Sequence, residues 1–301
     1  MNHQTIAEAL TALGHTGRLA VFRLLARRAP QGVRPSEIAA ALDLKPNTLS
    51  VYLTSLMHAG LVSSRRLGRS VYYRIELGQV ESLVDYLVGD CCRGRPELAV
   101  PLAARAQERL GEIVANRPQR PLNALFVCTG NSARSIMAEA ILCHVGGGRF
   151  RAFSAGTRPR AEPHPFAIAL LERLGHETAG LHPKDVAEFL EPGAPKMDFV
   201  FTVCDRAANE DCPPWPGGPI SAHWGLPDPA AVEGPEAKRS LAFYTAYRML
   251  RLRLEAFCAL PFAAFDRISL QHRLDTLAYA EPPAEEARPA AGRPLVEHWS
   301  D

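Results

Sequence analysis

No apolar run in this chain approaches the roughly 20 residues that a bilayer-crossing helix needs. The first ten residues, Met1 to Leu10, are neither basic nor followed by a long apolar stretch. A membrane span and a secretory signal are therefore not expected, and the cytoplasm is the expected location. A disulfide framework is not expected either. The seven cysteines (Cys91, Cys92, Cys128, Cys143, Cys204, Cys212 and Cys258) are odd in number and irregular in spacing. In a reducing compartment such cysteines point to chemistry or ligation. The sequence also lacks internal repeats and a strong charge of one sign, with a formal net charge of +2. That balance hides an asymmetry. Residues 1–120 carry 16 basic against 10 acidic side chains, and residues 121–301 carry 18 against 22. A basic first half is compatible with nucleic acid as a partner.

What is present divides in two. Apolar periodicity predicts helices near 4–13, 16–28, 36–42 and 47–59. Ser36 is suited to cap the third, and Asn47 or Thr48 the fourth. Residues 61–66 read as a strand, Leu67 to Ser70 as a turn and Val71 to Ile75 as a second strand. A further helix is expected over about 77–89. Residues 93–121 are rich in Arg and Pro, with one helix at about 102–115 and a linker from Asn116 to Pro121. The second half alternates strands (123–128, 150–154, 197–204, about 219–223) with helices (133–145, 164–174, 184–190, 236–258). This order argues for a parallel sheet covered on both faces. The tail after about 280 is rich in Pro, Ala and Glu and is expected to be disordered. The expected domains are 1–92, a linker 93–121, a catalytic domain 122–262, and a C-terminal helix and tail 263–301.

The run Cys128-Thr129-Gly130-Asn131-Ser132-Ala133-Arg134-Ser135 follows a buried-strand signal, Leu125-Phe126-Val127, and precedes a helix. Cys128 is thus expected at the C-terminal edge of the sheet, where ligands collect in open α/β folds. Backbone N–H groups from Thr129 to Ala133, together with the positive end of the helix, suit an oxyanion. Arg134 offers a planar fork matched to a tetrahedral oxyanion. The same field is expected to lower the pKa of Cys128, and Ser135 is placed to donate a hydrogen bond to its thiolate. Cys143 and Cys258 lie in apolar helical patterns and read as core.

With these residues the second half, from about Asn123 to Leu260, resembles the low-molecular-weight tyrosine phosphatase family, specifically its arsenate reductase branch. Phe153-Ser154-Ala155-Gly156-Thr157, Thr202-Val203-Cys204-Asp205 and Ala222 to Pro229 carry the resemblance further. It implies a flavodoxin-like fold with four parallel strands. It also implies that Asp228, in the pair Asp228-Pro229, is a catalytic acid. A reductase needs further thiols, and Cys204 and Cys212 are the candidates. The implied sequence is attack of Cys128 on arsenate, attack of Cys204 on the Cys128 sulfur with release of arsenite, and transfer of the disulfide to Cys204–Cys212. No tightly bound cofactor is implied. An external reductant is: thioredoxin, glutaredoxin or a low-molecular-weight thiol. Seven residues separate Cys204 from Cys212, a slightly long loop that leaves the reductant open. Ala230 follows Asp228-Pro229, where phosphotyrosine-directed members usually show an aromatic residue.

Helices three and four with the following hairpin form a winged helix-turn-helix pattern. Lys45, Asn47, Thr48, Ser50 and Tyr52 would face the major groove, and Arg65, Arg66 and Arg69 the phosphates or the minor groove. Leu49, Leu53, Leu56 and Met57 form the core stripe. Leu19 to Leu25, Leu49 to Leu53 and Ala59-Gly60-Leu61-Val62 resemble the ArsR/SmtB family of metalloid-responsive repressors over about residues 4–92. That resemblance implies a homodimer paired through its terminal helices and a double-stranded DNA operator. Cys91-Cys92 suit a thiophilic ion such as arsenite. The expectation is an arsenate reductase fused to an arsenite-responsive repressor. The alternatives are a phosphatase with a DNA-binding domain and a regulator that senses an oxyanion without turning it over.

Overall fold

A computed structural model describes residues 3–91, 120–210, 215–265 and 267–280. The chain divides into two compact units, one centred on residues 1–117 and the other on residues 118–207 with 214–261.

The first unit runs α1 (His3–Leu13), α2 (Thr16–Arg27), α3 (Pro35–Ala41), α4 (Pro46–His58), β1 (Val62–Leu67), β2 (Ser70–Ile75) and α5 (Leu77–Tyr86). Leu49, Leu53 and Leu56 recur at helical spacing on one face of α4 and are almost fully buried against Val21, Leu24, Leu25 and Ile38. β1 and β2 pair antiparallel from Val62↔Ile75 to Leu67↔Ser70. Gly68 closes this tight hairpin with φ of +59°, a conformation that glycine adopts at no steric cost. Three local expectations are corrected. The residues preceding α3 and α4 are Arg34 and Lys45, and neither caps through its side chain; Pro35 and Pro46 open the helices instead. Proline at the first helical position gives up an N–H that would be unpaired anyway. The helix expected to run to 89 ends at Tyr86 and continues as one π-turn, Leu87–Cys91.

The second unit runs β3 (Leu122–Cys128), α6 (Arg134–Val145), β4 (Phe150–Gly156), α7 (Pro165–Arg173), β5 (Phe199–Thr202), α8 (Asp205–Asn209), β6 (Ile220–His223) and α9 (Glu236–Cys258), followed by α10 (Arg267–Leu277). Its four strands are parallel in the order β4-β3-β5-β6. This is the flavodoxin-like arrangement expected. Every residue of β3 is buried, as a central strand packed on both faces requires. α6 packs on β3 and β4, and α9 packs on α6 and α7. Phe126, Phe199, Phe201, Trp224 and Phe257 form an aromatic core, with Phe201 and Trp224 centroids 4.2 Å apart. Burial of each contributes about 1.5–3 kcal/mol.

Here too the boundaries shift. β4 reaches Gly156, β5 shortens to 199–202, and the helix expected over 184–190 is a 3-10 turn, Val186–Phe189. Cys143 is exposed, not core, whereas Cys258 is buried. Cys143 sits near the end of α6, just past the buried pair Ile141 and Leu142. Cys92, the helix expected over 102–115, Cys212 and the tail after 280 lie outside the described residues.

The strand order fixes where a ligand goes. The chain leaves β3 toward β4 on one side and later enters β5 on the other side of β3. The β3 and β5 ends thus flank the crevice that such a reversal opens. Cys128 ends β3, and Cys204 follows β5 by two residues.

Candidate active site

The loop from Cys128 to α6 is held from outside by its carbonyls. The N–H groups of Thr157, Arg158, Arg160 and His164 donate to the carbonyl oxygens of Cys128, Thr129, Gly130 and Ser132, at 2.8–3.1 Å. With those carbonyls engaged, the N–H groups are the backbone dipoles left for the interior of the loop. Gly156 makes the approach possible: a Cβ there would lie 2.8 Å from the Thr129 carbonyl and 3.0 Å from the Asn131 nitrogen.

Inside the loop, Asn131 is fully buried with φ of +41°. Its side chain makes three bonds that justify this backbone. The amide nitrogen donates to Ser135 Oγ (2.9 Å) and Ser154 Oγ (2.8 Å), and its oxygen accepts from the Lys184 N–H at 2.7 Å. The Asn131 N–H donates to Cys128 Sγ at 3.2 Å. Because Ser135 accepts from Asn131, its own proton is directed to Cys128 Sγ, 2.9 Å away. Ser154 likewise donates to Glu139, whose carboxylate lies 3.3 Å from Lys184 Nζ in a mostly buried ion pair. The sequence reading found Cys128, Asn131 and Ser135 but missed the supporting roles of Glu139, Ser154, Gly156 and Lys184. Ser154 and Gly156 stood in a quoted motif; Glu139 and Lys184 gave no signal.

Arg134 donates to the Leu226 carbonyl at 3.1 Å and pairs with Asp228 at 2.9 Å. Asp228 also caps the turn Pro229–Ala231 by accepting from the Ala230 N–H. The segment carrying Asp228 is fixed by buried Arg253, which donates to the carbonyls of Trp224 and Gly225, and by the Trp224 indole, which donates to the Leu274 carbonyl. Cys204 is buried, 3.4 Å from Thr129 Oγ1, with the Ala207 N–H directed at its sulfur. Cys128, Arg134, Cys204 and Asp228 share a cavity of about 630 Å³, rimmed by Arg158, Arg160 and Arg206. A larger groove of about 810 Å³, between α1 and α4, holds neither a thiol nor a guanidinium.

One electrostatic expectation is corrected. Burial pushes the Cys128 thiol up, and the Ser135 hydrogen bond and Arg134 only partly oppose it. The pocket therefore favours the neutral thiol, because desolvation penalises the thiolate more than the loop stabilises it. His164 is lowered by burial and by Arg239 and Arg160. It is thus kept neutral, as its cap on α7 requires: Nδ1 accepts from the Phe166 N–H.

In the first unit, Lys45, Asn47 and Ser50 are exposed at the start of α4, Thr48 is half-buried, and Arg65, Arg66 and Arg69 are exposed on the hairpin. Tyr52 does not join them. Its ring packs against Gly17, where a Cβ would lie 2.5 Å away, and against His15. Cys91 is exposed. Among the described residues, no three His, Cys, Asp or Glu side chains group to hold a metal ion, and no helix is long and apolar enough to cross a membrane.

Residues 123–260 match the family model of low molecular weight phosphotyrosine protein phosphatases. The arsenate reductase of Shouchella clausii (strain KSM-K16) is 32% identical over 136 residues, which span 44% of this chain and 91% of that protein. Through its C-terminal domain, the chain belongs to this family. The matched range holds Cys128, Arg134, Ser135, Cys204, Cys212 and Asp228. A solved arsenate reductase in a phosphate-binding state is 28% identical, covering 46% of this chain and 97% of its own, with a TM-score of 0.37. Residues 19–66 match the IclR helix-turn-helix domain model. An ArsR-like transcriptional regulator from Rhodococcus sp. RHA1 is 24% identical, covering 35% of this chain and 92% of its own, with a TM-score of 0.27. The chain thus joins a helix-turn-helix domain to a phosphatase-family domain.

Proposed function

We propose that the C-terminal domain reduces arsenate to arsenite through a relay of thiols. The observation that carries this reading is Cys204, a second buried thiol on the wall of the cavity that contains Cys128. A phosphatase needs only the nucleophile, the guanidinium and an acid, and has no use for that sulfur. The resemblance of this domain to arsenate reductases supports the same choice.

In this reading the loop N–H groups and Arg134 bind the arsenate oxyanion. Cys128 gives up its proton as arsenate binds, the thiolate attacks arsenic, and a hydroxyl oxygen of arsenate leaves as water with that proton, relayed through Asp228. Oxyanion binding releases Arg134 from its pairing with Asp228 and frees that carboxyl for proton transfer. Cys204, as thiolate, then attacks Cys128 Sγ. The S–As bond breaks, its electron pair stays on arsenic, and arsenic leaves as arsenite, As(III). The Cys128–Cys204 disulfide now carries the two-electron oxidation. Cys212 attacks Cys204, releases Cys128 and leaves a Cys204–Cys212 disulfide for an external thiol to reduce. Thioredoxin, glutaredoxin and low-molecular-weight thiols all meet that chemistry.

We assign the N-terminal domain, within residues 1–92, to operator binding. Lys45, Asn47, Thr48 and Ser50 face DNA from α4, and Arg65, Arg66 and Arg69 neutralise phosphates from the wing. Exposed Leu10 on α1 and Leu77 and Val84 on α5 support pairing of two protomers through these helices. Binding of arsenite at Cys91 and Cys92 that frees the protein from DNA, and a cytoplasmic location, complete the reading.

Arsenate-dependent consumption of reductant by the full-length protein tests the enzymatic part. Turnover that is lost in Cys204→Ser while aryl phosphate hydrolysis persists is the expected result. No turnover with any thiol system by a folded protein sinks it.

A further inference from the structure

We propose that His223 and Asp205 form a latch that positions Cys204, the second thiol of the relay; this rests on the reading of Cys204 given above. The backbone ladder ends just before Cys204. Val203 still donates to the Val127 carbonyl, and Trp224 donates to the Thr202 carbonyl. Beyond that point the short helix opened by Asp205 and side-chain bonds hold the segment. At the Cys204 sulfur itself, Thr129 Oγ1 and the Ala207 N–H both lie at 3.4 Å, an ordinary hydrogen-bonding distance for sulfur. The next residue, Asp205, is tied to the neighbouring strand: its Oδ1 is 3.0 Å from His223 Nε2.

His223 is a rigid anchor. It ends β6, opposite Thr202 in the sheet register, and its side chain has no exposed surface. Its Nδ1 is 2.8 Å from Thr202 Oγ1. Nε2–H donates to the carboxylate, and Nδ1 bonds with the Thr202 hydroxyl. The series Thr202–His223–Asp205 thus connects the end of the sheet to the residue after the thiol. Gly225 completes the device. A Cβ there would lie 2.6 Å from Asp205 Oδ1 and 2.7 Å from His223 Nε2. A side chain at Gly225 and the latch bond compete for the same space.

The relay gives the latch its use. Cys204 must first wait at the wall of the Cys128 pocket and later turn toward Cys212. The bond from buried His223 to Asp205 helps hold the first position, and because the Asp205 side chain is 55% exposed, water can replace that bond when Cys204 turns.

Three variants of the full-length reduced protein test this: Asp205→Ala, Asp205→Asn and Gly225→Ala. Alkylation by iodoacetamide is followed site by site by mass spectrometry, with aryl phosphate hydrolysis and arsenate turnover measured beside it. The latch predicts that Asp205→Ala and Gly225→Ala raise the Cys204 alkylation rate about ten-fold, the effect of one lost hydrogen bond to a charged group. In Asp205→Ala, Cys128 alkylation and aryl phosphate hydrolysis stay as in the unsubstituted protein, and arsenate turnover falls. Asp205→Asn keeps an acceptor for His223 Nε2–H and behaves like the unsubstituted protein. An Asn variant that matches the Ala variant makes the effect one of charge and overturns the latch. So does an unchanged Cys204 rate in Asp205→Ala and Gly225→Ala, or an equal rise at Cys128 and Cys204, which would mean general loosening. A protein that shows the alkylation pattern but never turns over arsenate refutes the reductase reading and leaves the latch standing.

Discussion

The two domains place their candidate functional side chains by opposite means. Around Cys128 little is left to chance: four loop carbonyls are engaged, and Asn131, Ser135, Ser154, Glu139 and Lys184 form a continuous buried network. On the winged helix, Lys45, Asn47, Ser50, Arg65, Arg66 and Arg69 stand exposed over an apolar core. The difference follows the ligand proposed for each. A small oxyanion cannot organise a protein around itself, so its donors must already converge. A DNA duplex carries a repeating array of phosphates, and flexible basic side chains settle onto it with release of counterions. The first kind of site is fragile to single changes, and the second erodes gradually.

The largest effect should come from Cys128→Ser. Arsenate turnover and aryl phosphate hydrolysis should both fall by about 10⁴-fold or more, while operator affinity in a gel-shift assay stays unchanged. A matching loss of DNA binding would break the comparison. Arg134→Lys should follow, with kcat/KM lowered about 10²–10³-fold, because an ammonium cannot reproduce the bidentate fork. Asn131→Ala should cost about 2–4 kcal/mol in urea unfolding of the C-terminal domain, since it orphans buried donors and acceptors and leaves alanine at positive φ. On the wing, Arg65→Ala should weaken DNA binding without changing the chemistry at Cys128. The slope of log affinity against log salt should shrink by about one for one lost phosphate contact.

The smallest effect concerns pH. Alkylation requires the thiolate, and burial raises the Cys128 pKa. The fraction of thiolate therefore grows as pH rises and is small below the ordinary thiol range. The Cys128 alkylation rate in the empty protein should climb through that range without levelling off. A plateau at neutral pH would mean that the loop dipoles outweigh burial.

Much of this comparison was legible in the sequence, and the illegible part has a physical pattern. Cys128, Arg134 and Ser135 could be read because a strand, a turn and a helix follow one another without interruption, so local periodicity places them. The winged helix was legible for the same reason. Glu139, Ser154 and Lys184 come from three separate elements, and their meeting depends on strand order, which periodicity does not encode. The pKa direction at Cys128 was misjudged because the dipoles are visible in a sequence and the depth of burial is not. Tyr52 was assigned to DNA from its helical position, yet the glycine opposite it, Gly17, draws the ring inward. Ser36 and Asn47 were good capping types, but the prolines ahead of them set the helix starts one residue earlier.

The account turns on Cys204 as the thiol that takes the electrons from Cys128. The direct measurement uses Cys212→Ser, reduced, mixed with one equivalent of arsenate without external reductant, then digested under acid and mapped by mass spectrometry. A Cys128–Cys204 disulfide with one arsenite released per chain is the predicted outcome. Free Cys128 and Cys204 with arsenate unconsumed, or arsenite formed with Cys128 joined to another cysteine, would contradict it.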